Sequence, residues 1–162
     1  MKLIITDIKD LALRVKGEHK IIKPGENIKH CIGCFGCWIK TPGECIIKDT
    51  FNRTGCEMGK CEELIMISEC LYGGFSSFVK MVQDRCISYV RPDFDIVNGE
   101  MRHKRRYFNK IKLSAYFYGE DITENEKLTA ENIVKANSKN FYAIVDKVVF
   151  LKNPEELAEV EM

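Results

Sequence analysis

The order of strand-like and helix-like segments predicts an α/β protein with three layers around a mostly parallel sheet. Three observations carry that prediction. Leu64–Ser68 (LIMIS) is a continuous apolar run, as a strand buried on both faces requires. Phe75, Phe78, Val79, Val82, Cys86, Tyr89 and Val90 recur at helical spacing, so residues 76–90 read as an amphipathic helix just behind that strand. Thr123 and Glu126 form a capping box that opens a second helix, 124–136, between the strand-like runs 111–118 and 142–150.

The remaining elements follow in chain order. Leu3–Ile8 (LIITDI) is rich in β-branched residues and reads as the first strand. Asp10 caps a short helix, Leu11–Lys16, which Gly17 stops. His19–Lys23 is a second short strand, closed by the turn at Pro24-Gly25. Both early crossovers are short. The second, Asp49–Lys60, contains Gly55 and Gly59, which are poor helix formers. Ser76 or Ser77 caps the helix that follows. Residues 91–110 are a polar connection too long to be a simple turn. The 162 residues are expected to form one domain, 1–162, with a sizeable core.

Composition narrows the function classes. A net charge of +1 gives no general pull toward nucleic acid or a membrane surface, and neither partner is expected. The opening MKLIITDI is too short an apolar run for a signal peptide. The stretch Phe141–Leu151 is interrupted by Asp146 and Lys147 and cannot span a bilayer. Eight cysteines without a secretion signal are expected to be thiols or metal ligands in a reducing cytoplasm. No Ser/His/Asp arrangement stands out, so no acid, base or nucleophile is assigned.

The strongest chemical feature is Cys31-Ile-Gly-Cys34-Phe-Gly-Cys37, followed by Cys45. Three thiols at two-residue intervals can turn inward onto one centre, as in compact iron–sulfur ligand runs. Thr41-Pro42-Gly43-Glu44 then reverses the chain and returns the fourth thiol. Pro42 presets φ and Gly43 supplies φ > 0, the type II turn pattern. Three readings stay open. The first is a [4Fe–4S] cluster on Cys31, Cys34, Cys37 and Cys45. The second is zinc, which also suits four thiolates but usually sits between two separated Cys-x₂-Cys pairs. The third is bare thiols in a tight loop packed around Trp38. Cys56 and Cys61 form a second, looser pair, read as structural or adventitious.

The segment CIGCFGCWIKTPGECIIKD (31–49) resembles the cysteine motif of flavodoxin-like NAD(P)H-dependent FMN reductases related to the iron–sulfur flavoproteins. ECLYGGFSSFVKMVQDR (69–85) and the stretch from NGEMRHKRRY to YFYGEDIT (98–123) continue the likeness, which covers residues 28–150. The resemblance implies a flavodoxin-like fold with a five-stranded sheet in the order 2-1-3-4-5. It implies a flavin-dependent oxidoreductase or electron-transfer protein, often a homodimer, serving a small-molecule cofactor or a redox partner protein. In such sheets ligands sit beyond the carboxyl ends of the strands, at the switch in strand order. The isoalloxazine ring would rest on the loop Cys70, Leu71, Tyr72, Gly73, Gly74, Phe75 and Ser76, where many relatives have proline at the position of Cys70. Tyr118 and Gly119 would face its other side. Two glycines admit a ligand close to backbone amides, and Tyr72 offers a flat ring for stacking.

One expected part is missing. A flavodoxin-like domain holds the FMN phosphate after its first strand, on backbone amides and hydroxyls. Here Lys9–Lys16 contains no Ser, Thr or Gly, and Asp10 carries the wrong sign. The dense basic run Arg102-His103-Lys104-Arg105-Arg106, beside Tyr107 and Phe108, reads as a replacement phosphate anchor, a dimer contact or a solvated face. Without such a replacement FMN would be held weakly.

Overall fold

A computed structural model describes residues 1–10, 13–25 and 28–162. Among the described residues, seven strands form two sheets: β1 (Lys2–Thr6), β2 (His19–Ile22), β3 (Glu63–Glu69), β4 (Val90–Val97), β5 (Glu100–Arg105), β6 (Ile111–Tyr118) and β7 (Ala143–Leu151). The large sheet is parallel throughout its pairings, in the order β2-β1-β3-β6-β7. In full strand numbering this is not 2-1-3-4-5. The difference arises because β4 and β5 pair only with each other, as an antiparallel hairpin between β3 and β6 in the chain.

Helices cover one face of the large sheet. They are α2 (Thr54–Lys60), α3 (Ser77–Arg85) and α4 (Glu124–Phe141), while α1 (Gly36–Ile39) is a single turn inside the cysteine loop. Met58, Val79, Val82, Ala130 and Val134 from these helices pack on Leu3, Ile5, Leu64, Met66, Leu113, Ala115 and Phe117 of the sheet. The opposite face carries Ile4, Ile65, Ile67 and Tyr116. Among the described residues no α-helix covers it. Leu13, Val15, Val160 and Met162 pack there, together with Leu157 from a 3-10 segment, Pro154–Glu159. Arg14 bridges Glu161 in parallel, the Lys16 amide donates to the Met162 carbonyl and the Met162 amide to the Arg14 carbonyl. The predicted helix Leu11–Lys16 is therefore corrected over 13–16, which is extended and held by the chain's last residues. Leu11 and Ala12 lie outside the described residues.

Several elements form where the local chemistry predicts, with different ends. Ser76 caps α3 by accepting from the Val79 amide. The helix read over 76–90 stops as α-helix at Arg85, passes into a 3-10 turn at Cys86–Tyr89, and becomes strand at Val90. Thr123 and Glu126 make the reciprocal capping box of α4, which runs five residues past Ala136 to Phe141. Tyr142 ends that helix with φ of 53°, so β7 starts at Ala143. Among the described residues no helix is long and apolar enough to cross a membrane.

Residues 91–110 are corrected from an open connection to a hairpin. Asn98 and Gly99 both have positive φ, 53° and 79°, which is the two-residue turn that matches strand twist. The hairpin is pinned to the end of α4: the Tyr142 hydroxyl donates to the His103 carbonyl at 2.7 Å, and Lys139 pairs with Glu100 at 2.6 Å.

The glycines of α2 also have a reason that propensity hides. A Cβ at Gly55 would lie 2.0 Å from Ser88 Oγ and 2.9 Å from the Tyr89 amide nitrogen. One at Gly59 would lie 2.6 Å from the Tyr107 ring. α2 forms because these two positions let it lie directly against its neighbours. Gly55→Ala is thus expected to destabilise by about 1–3 kcal/mol through overpacking, against a gain of about 1 kcal/mol in helix propensity. The net loss is about 0–2 kcal/mol; urea unfolding measures it, and a higher midpoint would disprove the close packing.

Candidate functional site

The cysteine loop is a folded unit. Gly33 and Phe35 both take positive φ, 64° and 57°, and turn the chain so that α1 can begin at Gly36. The Glu44 amide donates to the Thr41 carbonyl at 2.9 Å with Gly43 at φ 94°, so the reversal predicted at residues 41–44 is present. The Gly43 amide donates to the Cys37 carbonyl at 3.1 Å, and the Cys45 amide to the Asn52 carbonyl at 2.7 Å. Ile46 packs where a side chain on Gly36 would otherwise sit, with its Cγ2 2.6 Å from an ideal Cβ. Trp38 fastens the loop outward by donating its indole N–H to the carbonyls of Ile87 and Val90. Its ring stacks on Phe35 and lies 5.0 Å from His103, which stacks in turn on Phe94.

This folding brings the four predicted thiols together. Cys31, Cys34, Cys37 and Cys45 all line one cavity of about 360 Å³, with Phe35, Trp38, Ile47 and Ile87 among its walls. Cys31 and Cys34 are exposed, and Cys37 and Cys45 are buried. Burial pushes the Cys37 thiol above its ordinary pKa, and Cys45, Cys31 and Cys34 add to the effect by proximity. Cys37 is thus within electrostatic reach of all three partners. Among the described residues no three His, Cys, Asp or Glu side chains already stand as a ligand set for an ion. Exposed Ile32 and Phe35 give the cavity lining an apolar outer surface.

The floor of the cavity holds a residue that sequence reasoning did not single out. The Arg85 side chain, at the end of α3, is fully buried. Its Nη1 donates to the Lys29 carbonyl at 2.7 Å and to Asp49 Oδ2 at 2.8 Å, and its Nη2 donates to Asp49 Oδ1 at 2.8 Å. Lys29 precedes the first cysteine and Asp49 follows the last, so one guanidinium holds both ends of the loop. Asp49 is held below the usual carboxylate range, first by the Arg85 hydrogen bonds, with burial opposing. Burial alone would lower the Arg85 pKa, but Asp49 and Cys45, which stands beside the guanidinium, more than offset it. Arg85 Nε is buried with no hydrogen-bond partner. An orphaned buried donor of this kind costs about 1–3 kcal/mol, more when charged. A signal for Arg85 was present: it falls three residues after Val82 and four before Tyr89, on the apolar stripe of the helix.

The predicted flavin crevice is arranged differently. Tyr72 and Gly73, at φ 52° and 78°, form a tight turn in which Leu71 and Gly74 exchange both backbone hydrogen bonds, at 3.0 and 2.8 Å. The Gly73 amide faces the Cys70 thiol, which burial raises above its ordinary pKa, with this amide opposing. The Cys70 amide donates to the Tyr118 carbonyl at 2.9 Å, and the Ser76 amide donates to Ser68 Oγ at 2.8 Å. The Gly119 amide donates to the Leu151 carbonyl at 3.1 Å. The structure thus brings Cys70 and Tyr118 side by side, but these amides are bonded within the protein. Gly73 packs on α4, 2.7 Å from Thr129 Cβ as measured from an ideal Cβ. Tyr72 is 92% exposed, so it is not a core residue. Phe75 turns inward onto Phe117, with ring centroids 4.9 Å apart.

Asp7 crosses the carboxyl ends of the central strands. Its Oδ2 accepts from the Glu69 amide at 2.9 Å and its Oδ1 from the Tyr118 hydroxyl at 3.0 Å. Burial raises the Tyr118 pKa, and the Asp7 charge and hydrogen bond raise it further, so the hydroxyl remains a donor. A carboxylate therefore occupies the edge where the resemblance places a phosphate.

The basic run is structural in its arginines. Arg105 lies over the Tyr142 and Phe108 rings and donates to the Asn109 carbonyl. Arg106 donates to the carbonyls of Ser88 and Val90. Arg102 pairs with Glu100 at 2.5 Å. No protein-family model matches this chain, and no curated protein matches it either.

Proposed function

We propose that this protein is an electron-transfer protein whose redox centre is held by Cys31, Cys34, Cys37 and Cys45. The observation that carries the reading is the cavity lined by all four thiols, two buried and two exposed, beside a buried cation. The donor set fits an iron–sulfur cluster: four thiols, two of them exposed, and an apolar wall. When bound, a [4Fe–4S] cluster would supply one-electron chemistry. The chain's own residues hold the thiols on a fixed loop, wall the cavity with Trp38, Ile47 and Ile87, and offer a partner protein the exposed apolar side chains of Ile32 and Phe35 on its lining. No side chain is required as an acid or base.

The scaffold is read as a flavodoxin-like one. What supports this is the parallel five-stranded sheet in the order β2-β1-β3-β6-β7, with helices packed on it. On this reading the FMN and NAD(P)H chemistry of the resembling reductases has been left behind, because the phosphate edge holds Asp7 and the ring loop is closed on itself. Zinc remains the alternative metal, since a four-thiolate site accepts it.

A second reading is favoured by one observation. No three of the side chains stand as a ligand set among the described residues. A metal-free thiol module that senses redox state or binds a partner would need no such set.

Anaerobic purification followed by an absorption spectrum and metal analysis separates these readings. The expected result is a brown protein with iron and acid-labile sulfide, both lost in Cys37→Ser and Cys45→Ser. A colourless protein holding zinc would replace iron by zinc at the same residues. A colourless protein that takes up neither metal after anaerobic reconstitution would overturn the proposal in favour of the thiol module.

A further inference from the structure

We propose that Arg85 sets the charge of the cysteine centre: its buried guanidinium, which lines the same cavity as Cys45 and keeps an unpaired Nε–H, stabilises negative charge gathered on the four sulfurs. The inference rests on the reading of Cys31, Cys34, Cys37 and Cys45 as one redox or metal centre. Both Nη atoms of Arg85 are accounted for by Lys29 and Asp49. Clamping the loop therefore uses three of the five guanidinium N–H donors and leaves Nε without a partner. Arg85 and Cys45 line the same cavity, and Cys45 is among the groups that act on the guanidinium. The other charge on this wall, Asp84, is already paired with Lys80. A metal held by four thiolates carries net negative charge, and one-electron reduction adds one more. A fixed donor that needs no reorganisation favours the more negative state.

Asp49 makes the inference testable against a purely structural role. It shares the clamp with Arg85 but carries the opposite charge. Loosening the clamp from either side would disturb the centre in the same direction. Removing charge would shift it in opposite directions. The experiment is a potentiometric dithionite titration of the anaerobically reconstituted protein, in which dithionite supplies the electron. It is run on the wild type, Arg85→Gln and Asp49→Asn. Arg85→Gln is expected to make reduction at least tenfold less favourable, a potential lower by about 59 mV for one electron. Asp49→Asn is expected to raise the potential. The same three proteins are titrated with Co²⁺, whose four-thiolate complex is coloured. Arg85→Gln should bind at least tenfold more weakly and Asp49→Asn more tightly.

Shifts of the same sign in both variants, or no shift in Arg85→Gln, would overturn the inference while leaving the cluster in place. If Arg85→Gln fails to fold, Asp49→Asn decides: a raised potential supports the inference, and an unchanged or lowered one overturns it. Co²⁺ binding with opposite-sign changes but no cluster would sustain Arg85 and remove the iron–sulfur reading. Uptake of neither metal by the wild type would overturn both.

Discussion

Arg85→Ala is expected to lower the unfolding free energy by about 3–5 kcal/mol, the cost of leaving one member of a buried ion pair behind. Few other side chains in this chain are so committed. The guanidinium is fully buried and Asp49 nearly so, and their contact is bidentate at 2.8 Å on both arms. Alanine would strand the Asp49 carboxylate against a cavity and release the Lys29 carbonyl, so the ends of the cysteine loop would keep the Lys29 amide bond to Asp49 but lose the guanidinium that joins them. Urea unfolding followed by the fluorescence of Trp38, the chain's one tryptophan, reads both events. Arg85→Met combined with Asp49→Leu should recover much of the loss, because an apolar pair of similar volume avoids the stranded charge. The pair also fixes a pH dependence. The Asp49 pKa is depressed in the folded state, so its contribution is fully present above the unfolded value of about 3.9. It is lost as pH falls through the lower folded value. That acid limb should flatten in Arg85→Ala. A loss below about 1 kcal/mol, typical of exposed pairs, would show that the clamp is not buried in solution.

How much of this was legible in the sequence depended on range. Local chemistry read well. The strand 111–118, the Ser76 cap, the Thr123–Glu126 box and the reversal at 41–44 each follow from a few neighbouring residues, and each is present. Three features depend on distant partners and were missed or misread. The extended segment 13–16 is fixed by Glu161 and Met162, some 150 residues away in the chain. α2 runs against the propensity of Gly55 and Gly59 because Ser88 and Tyr107 lie where side chains would be. The bridging role of Asp7 exists only because β1, β3 and β6 lie side by side. The hairpin is a different case. Asn98-Gly99 between strand-like runs is a local signal. It was masked because Phe94, Ile96 and Met101 face solvent rather than alternating with a core. For the candidate site, cysteine spacing named the four thiols that share a cavity. It could not name Arg85, whose importance lies in joining residues 29, 49 and 85.

Free FMN is expected to bind more weakly than about 1 μM, that is, with less than about 8.2 kcal/mol of binding free energy. The sequence motive was the absence of hydroxyls and glycines between Lys9 and Lys16, of which Leu11 and Ala12 lie outside the described residues. The structure adds two physical reasons. Asp7 accepts from the Glu69 amide and the Tyr118 hydroxyl at the strand ends, so a dianionic phosphate would have to displace or repel a carboxylate there. In the ring loop, the Leu71, Gly74 and Ser76 amides are bonded internally, and Tyr72 points into solvent. A flavin would first have to break those bonds, and each hydrogen bond to a charged phosphate forgone is worth about 1.5–3 kcal/mol. The basic hairpin offers no rescue, since Arg105 and Arg106 are spent on Asn109, Ser88 and Val90. Replacing Arg105 and Arg106 by alanine is thus expected to lower stability and leave FMN binding as weak as before. Titration followed by flavin fluorescence measures the affinity. Stoichiometric binding below about 1 μM would mean that the turn at Tyr72-Gly73 opens and that the Asp7 edge accepts a phosphate after all. Loss of that binding in the double arginine variant, with the fold intact, would place the phosphate on the hairpin.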